Sequence, residues 1–179
     1  MNTANKLTML RVILIPFYLI VWYLGFAYNN IVALAIFIIA SVTDFIDGYV
    51  ARHYNQTTDF GKFMDPLADK VLVLTAMICF CAMGRFPAWA LVIVMAREFA
   101  VSGLRMVAVD NGRVIAAGWS GKVKTFSTMV ALCIMMVVTE PWFPMGRTVN
   151  FVCQAVILLT TVYSGVEYFV QNKDVFKAE

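Results

Sequence analysis

Long apolar runs recur along the whole chain, and each is about 20 residues long, the length that crosses the hydrocarbon core of a bilayer as a helix. The protein has 179 residues, of which 61% are hydrophobic and only 14% are charged. A soluble domain is closer to half apolar and one quarter charged. We therefore predict an all-α integral membrane protein that forms a single domain over residues 1–179 and has six transmembrane helices.

Short polar segments separate the apolar runs and set the expected limits of the helices. The predicted spans cover roughly residues 7–28, 31–51, 66–84, 87–109, 118–139 and 148–170. The Asn111-Gly112 pair and two prolines, Pro141 and Pro144, are turn signals that support these limits.

The distribution of basic residues predicts the orientation of the spans. Six spans place both termini on one side, and that side receives all of the 14 lysines and arginines except Arg85 and Arg147. Because cytoplasmic loops carry an excess of basic residues, we expect both termini at the cytoplasmic face. The compact single-domain chain indicates a bacterial cell membrane. The polar segment between spans two and three lies at the same face. The net charge of +3 is small and gives no indication of a nucleic-acid partner.

The segment between spans two and three contains four aspartates, Asp44, Asp47, Asp65 and Asp69. Residues three or four apart share a face of a helix, so each pair would present two carboxylates together. Four carboxylates repel one another unless cations balance them, and hard oxygen ligands favour Mg²⁺ or Mn²⁺. The pattern predicts a site for two divalent cations that acts in phosphoryl-group transfer. The alternative is that these residues are helix caps and interfacial charges, with Asp65 as an N-cap before Pro66.

Small and basic residues accompany the aspartates at helical spacing. Gly48 and Ala51 share a face with Asp44 and Asp47, which leaves room for a substrate near the backbone. Gly61 lies one turn before Asp65, and Arg52 offers a fork of donors for a phosphate oxygen.

The pattern Asp44-x2-Asp47-Gly48-x2-Ala51-Arg52-x8-Gly61-x3-Asp65-x3-Asp69 resembles the signature of the CDP-alcohol phosphotransferase family. The resemblance implies six transmembrane helices, a homodimer, and displacement of CMP from a CDP-alcohol by the hydroxyl of a second alcohol. It implies that all four aspartates are metal ligands and that Asp69 is also the general base. The implied contacts with CDP-diacylglycerol come from Asn5, Thr8, Gly48, Ala51, Arg52, Thr58 and Gly61. Simple helix capping is the alternative for Asn5 and Thr8.

Basic residues in the second half of the chain predict an anion pocket formed by Arg97, Arg105, Lys122 and Lys124. No neutralising partner is evident, and Glu98 is not expected to face Arg97 because consecutive helix residues do not face each other. Contact with lipid headgroups is the alternative for any one of these residues. An acceptor that carries its own phosphate fits the pocket, either glycerol 3-phosphate or inositol phosphate.

Three segments, 63–70, 96–105 and 121–125, resemble the branch of the family that makes phosphatidylglycerol phosphate. The resemblance implies that the phosphatidyl group of CDP-diacylglycerol passes to sn-glycerol 3-phosphate at the cytoplasmic face. Other family members that use inositol phosphate or serine remain alternatives. A cation-coupled transporter is a more remote one, since it would spread acidic residues along a pathway instead of gathering them.

Overall fold

The computed structural model describes the backbone of residues 3–26, 28–53, 59–110, 112, 115, 118–138 and 145–173. Side chains are described for the same residues except 3–8, 44–53, 59–66, 69 and 110.

The described residues form helices and contain no strand. The helices are α1 (Thr3–Tyr23), α2 (Asn29–His53), α3 (Asp59–Ala82), α4 (Ala88–Asp110), α5 (Trp119–Val138) and α6 (Gly146–Gln171). The all-helical class is therefore confirmed for this part of the protein. The observed limits of α4, α5 and α6 lie within two residues of the predicted ones.

The end of α1 differs from the prediction because a glycine terminates the helix. The apolar run continues to residue 28, but α1 ends at Tyr23. Gly25 has a φ of 70°, in the left-handed region that only glycine adopts readily, so the chain turns there. Hydropathy does not register this turn, because the residues on both sides of Gly25 are apolar.

The start of α3 also differs, since the helix begins at Asp59 and not at residue 66. Phe60, Phe63 and Met64 recur at helical spacing within the segment that was predicted to be a loop. Polar residues between them lower the hydropathy without interrupting the helix. Pro66, at which the predicted span began, lies about two turns inside α3.

The chain divides into two compact units. One consists of residues 1–80 and 136–144, and the other consists of residues 81–135 and 145–179. The prediction of a single domain over the whole chain stays a prediction.

In the first unit, α1 packs along α2 and an aromatic cluster joins three helices. The rings of Tyr18 and Trp22 on α1 stack with centroids 5.7 Å apart. Phe37 on α2 lies 6.4 Å from Tyr18, and Phe80 on α3 meets Trp22 edge-on at 5.1 Å. Tyr18, Phe37 and Phe80 are fully buried, so these contacts form the centre of the unit.

In the second unit, α4 packs against α6. Val101, Leu104 and Ala108 on α4 form a buried cluster with Tyr168 on α6. Ile115 and Phe169 pack against this cluster from the side. The unit also contains most of α5. Lys124 of α5 contacts α4 as described below, and the Ser127 hydroxyl donates a hydrogen bond to the Thr160 hydroxyl of α6 at 3.3 Å.

The surface of α6 has the opposite polarity to that of a helix in a soluble protein. Its buried residues are Asn150, Cys153, Ile157, Thr161, Ser164, Gly165 and Tyr168, which include small and polar side chains. Its outward side chains are large and apolar, and Phe151 and Leu159 are 69% and 70% exposed. Small and polar residues between helices with apolar residues outside are typical of helices in lipid. The surface of α6 therefore matches a hydrocarbon environment.

Among the described residues, α5 and α6 are each long and apolar enough to span a bilayer, with 20 and 26 residues. Shorter apolar helical stretches occur at Met9–Tyr23, Asn29–Thr43 and Lys70–Ala82. Together with the outward apolar face of α6, these helices favour a membrane protein.

The aromatic cluster provides a test of the packing in the first unit. We expect Phe80→Ala to lower the free energy of unfolding by about 3–5 kcal/mol, because it removes a fully buried ring and leaves a cavity. Phe17→Ala is the matched control, since Phe17 is 55% exposed on α1. Its effect should stay within about 0.5 kcal/mol. Thermal unfolding of both variants in detergent micelles measures the difference, and equal losses would contradict the proposed centre of the unit.

Candidate functional site

The four aspartates of the signature lie on two helices of the first unit. Asp44 and Asp47 are in the second half of α2, and Asp65 and Asp69 are in α3. The backbone is helical at all four positions, so the members of each pair are separated by about one turn, as predicted. Their side chains lie outside the described ones, and metal ligation by them stays a prediction.

The backbone excludes two of the simpler alternatives. Because α3 begins six residues before Asp65, that residue is inside the helix and does not cap it. Asn5 and Thr8 are likewise inside α1, which begins at Thr3, so neither residue precedes the helix as an N-cap does. The capping interpretation is therefore wrong at these three positions.

The remaining residues predicted to contact the nucleotide are only partly covered by the structure. Gly48, Ala51 and Arg52 lie in α2, and Gly61 lies near the start of α3. Their surroundings, and Thr58 as a whole, lie outside the described residues. Among the side chains that are described, no three or more His, Cys, Asp or Glu residues come together. The four cysteines are free thiols.

In the second unit, Glu98 joins two of the predicted basic residues. The Arg97 Nη1 atom lies 3.2 Å from Glu98 Oε1, and the Lys124 Nζ atom of α5 contacts the same oxygen. All three side chains are largely buried, with exposed fractions of 12% for Arg97, 14% for Glu98 and 6% for Lys124. We call these three residues the charged triad.

The triad corrects two expectations from the sequence. Glu98 does contact Arg97, although the two residues are consecutive, because the long arginine side chain brings its guanidinium back to the carboxylate. Glu98 also neutralises part of the basic charge that had no evident partner. A buried charge requires a partner, and this requirement outweighs the outward divergence of consecutive side chains on a helix.

Arg97 lies between two glycines on different helices. A Cβ atom on Gly165 of α6 would be 3.2 Å from Arg97 Cγ, and one on Gly121 of α5 would be 3.8 Å from Nη2. The arginine also lines a groove of about 500 Å³ between α4 and α6 whose other lining residues are mostly apolar. Its Nε atom is buried and has no hydrogen-bond partner among the described residues. The glycines thus leave the space in which this side chain crosses between the helices.

Arg105 has a separate partner in Tyr168. Two turns of α4 separate it from Arg97, about 12 Å along the helix axis. Its Nε atom donates a hydrogen bond to the Tyr168 hydroxyl at 3.0 Å, and its Cζ atom lies 5.5 Å from the centre of the ring. Lys122 is exposed at the start of α5. The structure therefore brings Arg97 and Lys124 together, while a single pocket of four basic residues stays a prediction.

The sequence reasoning missed Glu98 and Tyr168 as contacts of the basic residues. Glu98 is adjacent to Arg97 in the sequence, but the rule that consecutive helix residues do not face each other led to the prediction of no contact. Tyr168 is 63 residues from Arg105 in the chain, and no local pattern connects the two. Gly165 is buried beside Arg97, and its lack of a side chain allows close helix packing there.

Comparison with known proteins identifies the family. The model of the CDP-alcohol phosphatidyltransferase family matches residues 1–166. A Bacillus subtilis (strain 168) protein named CDP-diacylglycerol–glycerol-3-phosphate 3-phosphatidyltransferase is 37% identical over an alignment of 188 positions, which covers 98% of this chain and 97% of that protein. An Escherichia coli (strain K12) protein of the same name is 38% identical, over 93% of this chain and 92% of its own. A probable phosphatidylglycerophosphate synthase of Mycobacterium tuberculosis (strain ATCC 25618 / H37Rv) is 38% identical, over 93% and 79%.

The chain therefore belongs to the CDP-alcohol phosphatidyltransferase family. The family that the aspartate signature predicted is confirmed.

The close approach of Gly165 to Arg97 can be tested with two matched glycine substitutions. Gly165→Ala places a Cβ atom against Arg97 Cγ, so we expect a loss of about 1–3 kcal/mol in unfolding free energy. Gly103→Ala in α4 meets nothing within 4 Å, and the better helix propensity of alanine should stabilise it by about 0.5–1 kcal/mol. Thermal unfolding of the two variants checks both signs. Equal stability of the two variants would show that Gly165 does not constrain Arg97.

Proposed function

We propose that the protein transfers the phosphatidyl group of CDP-diacylglycerol to sn-glycerol 3-phosphate and produces phosphatidylglycerol phosphate and CMP. The observation that carries the proposal is the similarity over nearly the full chain to relatives named for this activity, at 37% and 38% identity. The charged triad adds support, because it provides basic groups suited to an acceptor with its own phosphate.

Two divalent cations, Mg²⁺ or Mn²⁺, are the proposed cofactors. Carboxylate oxygens are suitable ligands for these ions, and α2 and α3 each carry two carboxylates about one helical turn apart within the same unit. Asp44, Asp47, Asp65 and Asp69 would hold these ions. When bound, the ions supply Lewis-acid stabilisation of the negative charge that develops on the diphosphate.

Asp69 is the proposed catalytic base. Its carboxylate accepts the proton of the glycerol C1 hydroxyl, and the resulting oxygen nucleophile attacks the β-phosphorus, which bears diacylglycerol. The bond between this phosphorus and the oxygen of CMP breaks, and CMP leaves with that electron pair. A carboxylate that takes up a proton at the reacting atom is a general base, a role that contributes typically 10²–10⁴-fold to a rate.

CDP-diacylglycerol and glycerol 3-phosphate would bind through different residues. The proposed nucleotide-binding residues are Asn5, Thr8, Gly48, Ala51, Arg52, Thr58 and Gly61. The proposed residues for the acceptor phosphate are Arg97, Arg105, Lys122 and Lys124. Arginine offers a planar fork of donors that matches a phosphate, and lysine adds a point charge.

We also propose six membrane crossings in a single domain over residues 1–179, with both termini and the active site at the cytoplasmic face of a bacterial cell membrane. The six described helices and the distribution of basic residues support this topology. The proposed functional form is a homodimer surrounded by membrane lipid.

The acceptor is tested by CMP release from the purified protein with CDP-diacylglycerol and Mg²⁺ or Mn²⁺. We expect release with glycerol 3-phosphate and none with serine or inositol phosphate, because the relatives are named for glycerol 3-phosphate as the acceptor. Release with inositol phosphate or serine instead would keep the metal site and assign a different acceptor. If no acceptor supports release from a folded protein that binds metal, the transporter alternative would have to be considered again.

The role of Asp69 is tested by Asp69→Asn. We expect turnover to fall about 10³-fold while the unfolding temperature stays close to that of the unsubstituted protein, because the amide cannot accept the proton. Asp110→Asn, at the end of α4 and outside the signature, is the control and should retain normal turnover. Near-normal activity of Asp69→Asn at saturating metal would remove Asp69 from the mechanism.

A further inference from the structure

Glu98 contacts both Arg97 and Lys124 with one oxygen atom, Oε1. Arg97 is on the same helix, and Lys124 is on α5, so the carboxylate connects two helices. Lys124 is only 4% exposed as a residue. Two buried cations this close repel each other strongly in a medium of low dielectric constant, and the carboxylate between them offsets that repulsion.

We infer that Glu98 is a positioning residue for the acceptor phosphate, because it holds the side chains of Arg97 and Lys124 beside each other. The inference rests on the proposed function, in which those two residues bind the phosphate of glycerol 3-phosphate. Glu98 itself is an anion and does not bind that phosphate. It acts only through the two basic side chains.

The surroundings of Arg97 show why one carboxylate suffices to orient it. Gly165 lies against its Cγ atom and Gly121 lies near Nη2, so two helices already limit the path of the side chain. The contact of Nη1 with Glu98 fixes the remaining rotation of the guanidinium plane. Arginine binds phosphate well only when its planar fork has the right orientation, so fixing that plane favours acceptor binding.

Charge and geometry predict opposite effects of removing the Glu98 carboxylate on the binding of the acceptor phosphate. Loss of the Glu98 charge would leave two positive charges and strengthen the general attraction for an anion. It would also leave two buried cations without their shared carboxylate, and such cations move apart or toward water. Because Lys124 and Arg97 are both largely buried, we expect the loss of geometry to outweigh the gain in attraction.

The test compares Glu98→Gln with the unsubstituted protein in CMP release at varied glycerol 3-phosphate. We expect the KM for glycerol 3-phosphate to rise about tenfold or more, which corresponds to one hydrogen bond to a charged group. The kcat should change by less than about threefold, and the KM for CDP-diacylglycerol should not change. Glu98→Asp keeps the charge and should recover part of the loss.

Glu167→Gln is the matched control, because Glu167 lies in the same unit and its Oε1 atom accepts a hydrogen bond from Gln171. It should leave both KM values unchanged. An unchanged or lowered KM for glycerol 3-phosphate in Glu98→Gln would overturn the inference, and so would a Glu98→Asp variant no better than Glu98→Gln. If Glu98→Gln does not fold, the selective rise in this KM must appear in Glu98→Asp, and its absence there overturns the inference.

Thermal stabilisation by added glycerol 3-phosphate separates this inference from the proposed function, since it measures binding without turnover. Stabilisation of the unsubstituted protein that weakens in Glu98→Gln supports the role of Glu98 even if no CMP is released. Equal stabilisation of both proteins overturns that role while the proposed reaction stands. If glycerol 3-phosphate does not stabilise the unsubstituted protein, the acceptor site is wrong and the role of Glu98 fails with it.

Discussion

The pairing of charge inside an apolar protein is the constraint on which the second unit depends. In hydrocarbon a charged group without a partner costs several kcal/mol, so every buried cation must meet an anion or an oriented dipole. Glu98 meets this requirement for Arg97 and Lys124. Arg105 is exposed and contacts the hydroxyl and the ring of Tyr168. The partners come from α4 and α6 while Lys124 comes from α5, so charge pairing and helix packing reinforce each other.

The sequence predicted the helices well where hydropathy and turns coincide, and less well where they do not. The limits of α4, α5 and α6 follow apolar runs that stop at polar or turn-forming residues. The end of α1 does not coincide with the end of an apolar run, because Gly25 turns the chain inside a continuous apolar run. The start of α3 does not coincide with the start of an apolar run, because its first turns are polar enough to resemble a loop. Both errors arise because hydropathy measures the solvent that a segment prefers and not its backbone conformation.

Some residues of the candidate site can be predicted from their spacing in the sequence, and others are apparent only from the packing of the helices. The four aspartates are recognisable because each pair is one helical turn apart in the sequence. Glu98, Gly165 and Tyr168 are not recognisable in this way. Their partners lie on other helices, except that Glu98 also contacts the adjacent Arg97. The rule that consecutive helix residues do not face each other excludes that contact. A long side chain such as arginine adopts the conformation that reaches a group of opposite charge. Which such groups are within reach depends on the three-dimensional packing.

The two units carry different parts of the proposed chemistry, and this division has a consequence for specificity. The carboxylates on α2 and α3 would act on the diphosphate, which every CDP-alcohol contains. The residues proposed for the acceptor all lie on α4 and α5, with their partners on α4 and α6. On this proposal, a change of acceptor would require different side chains in the second unit only. Because Arg97 is confined by two glycines and one carboxylate, the substitutions that alter acceptor choice should be found among its contacts more than in the aspartate signature.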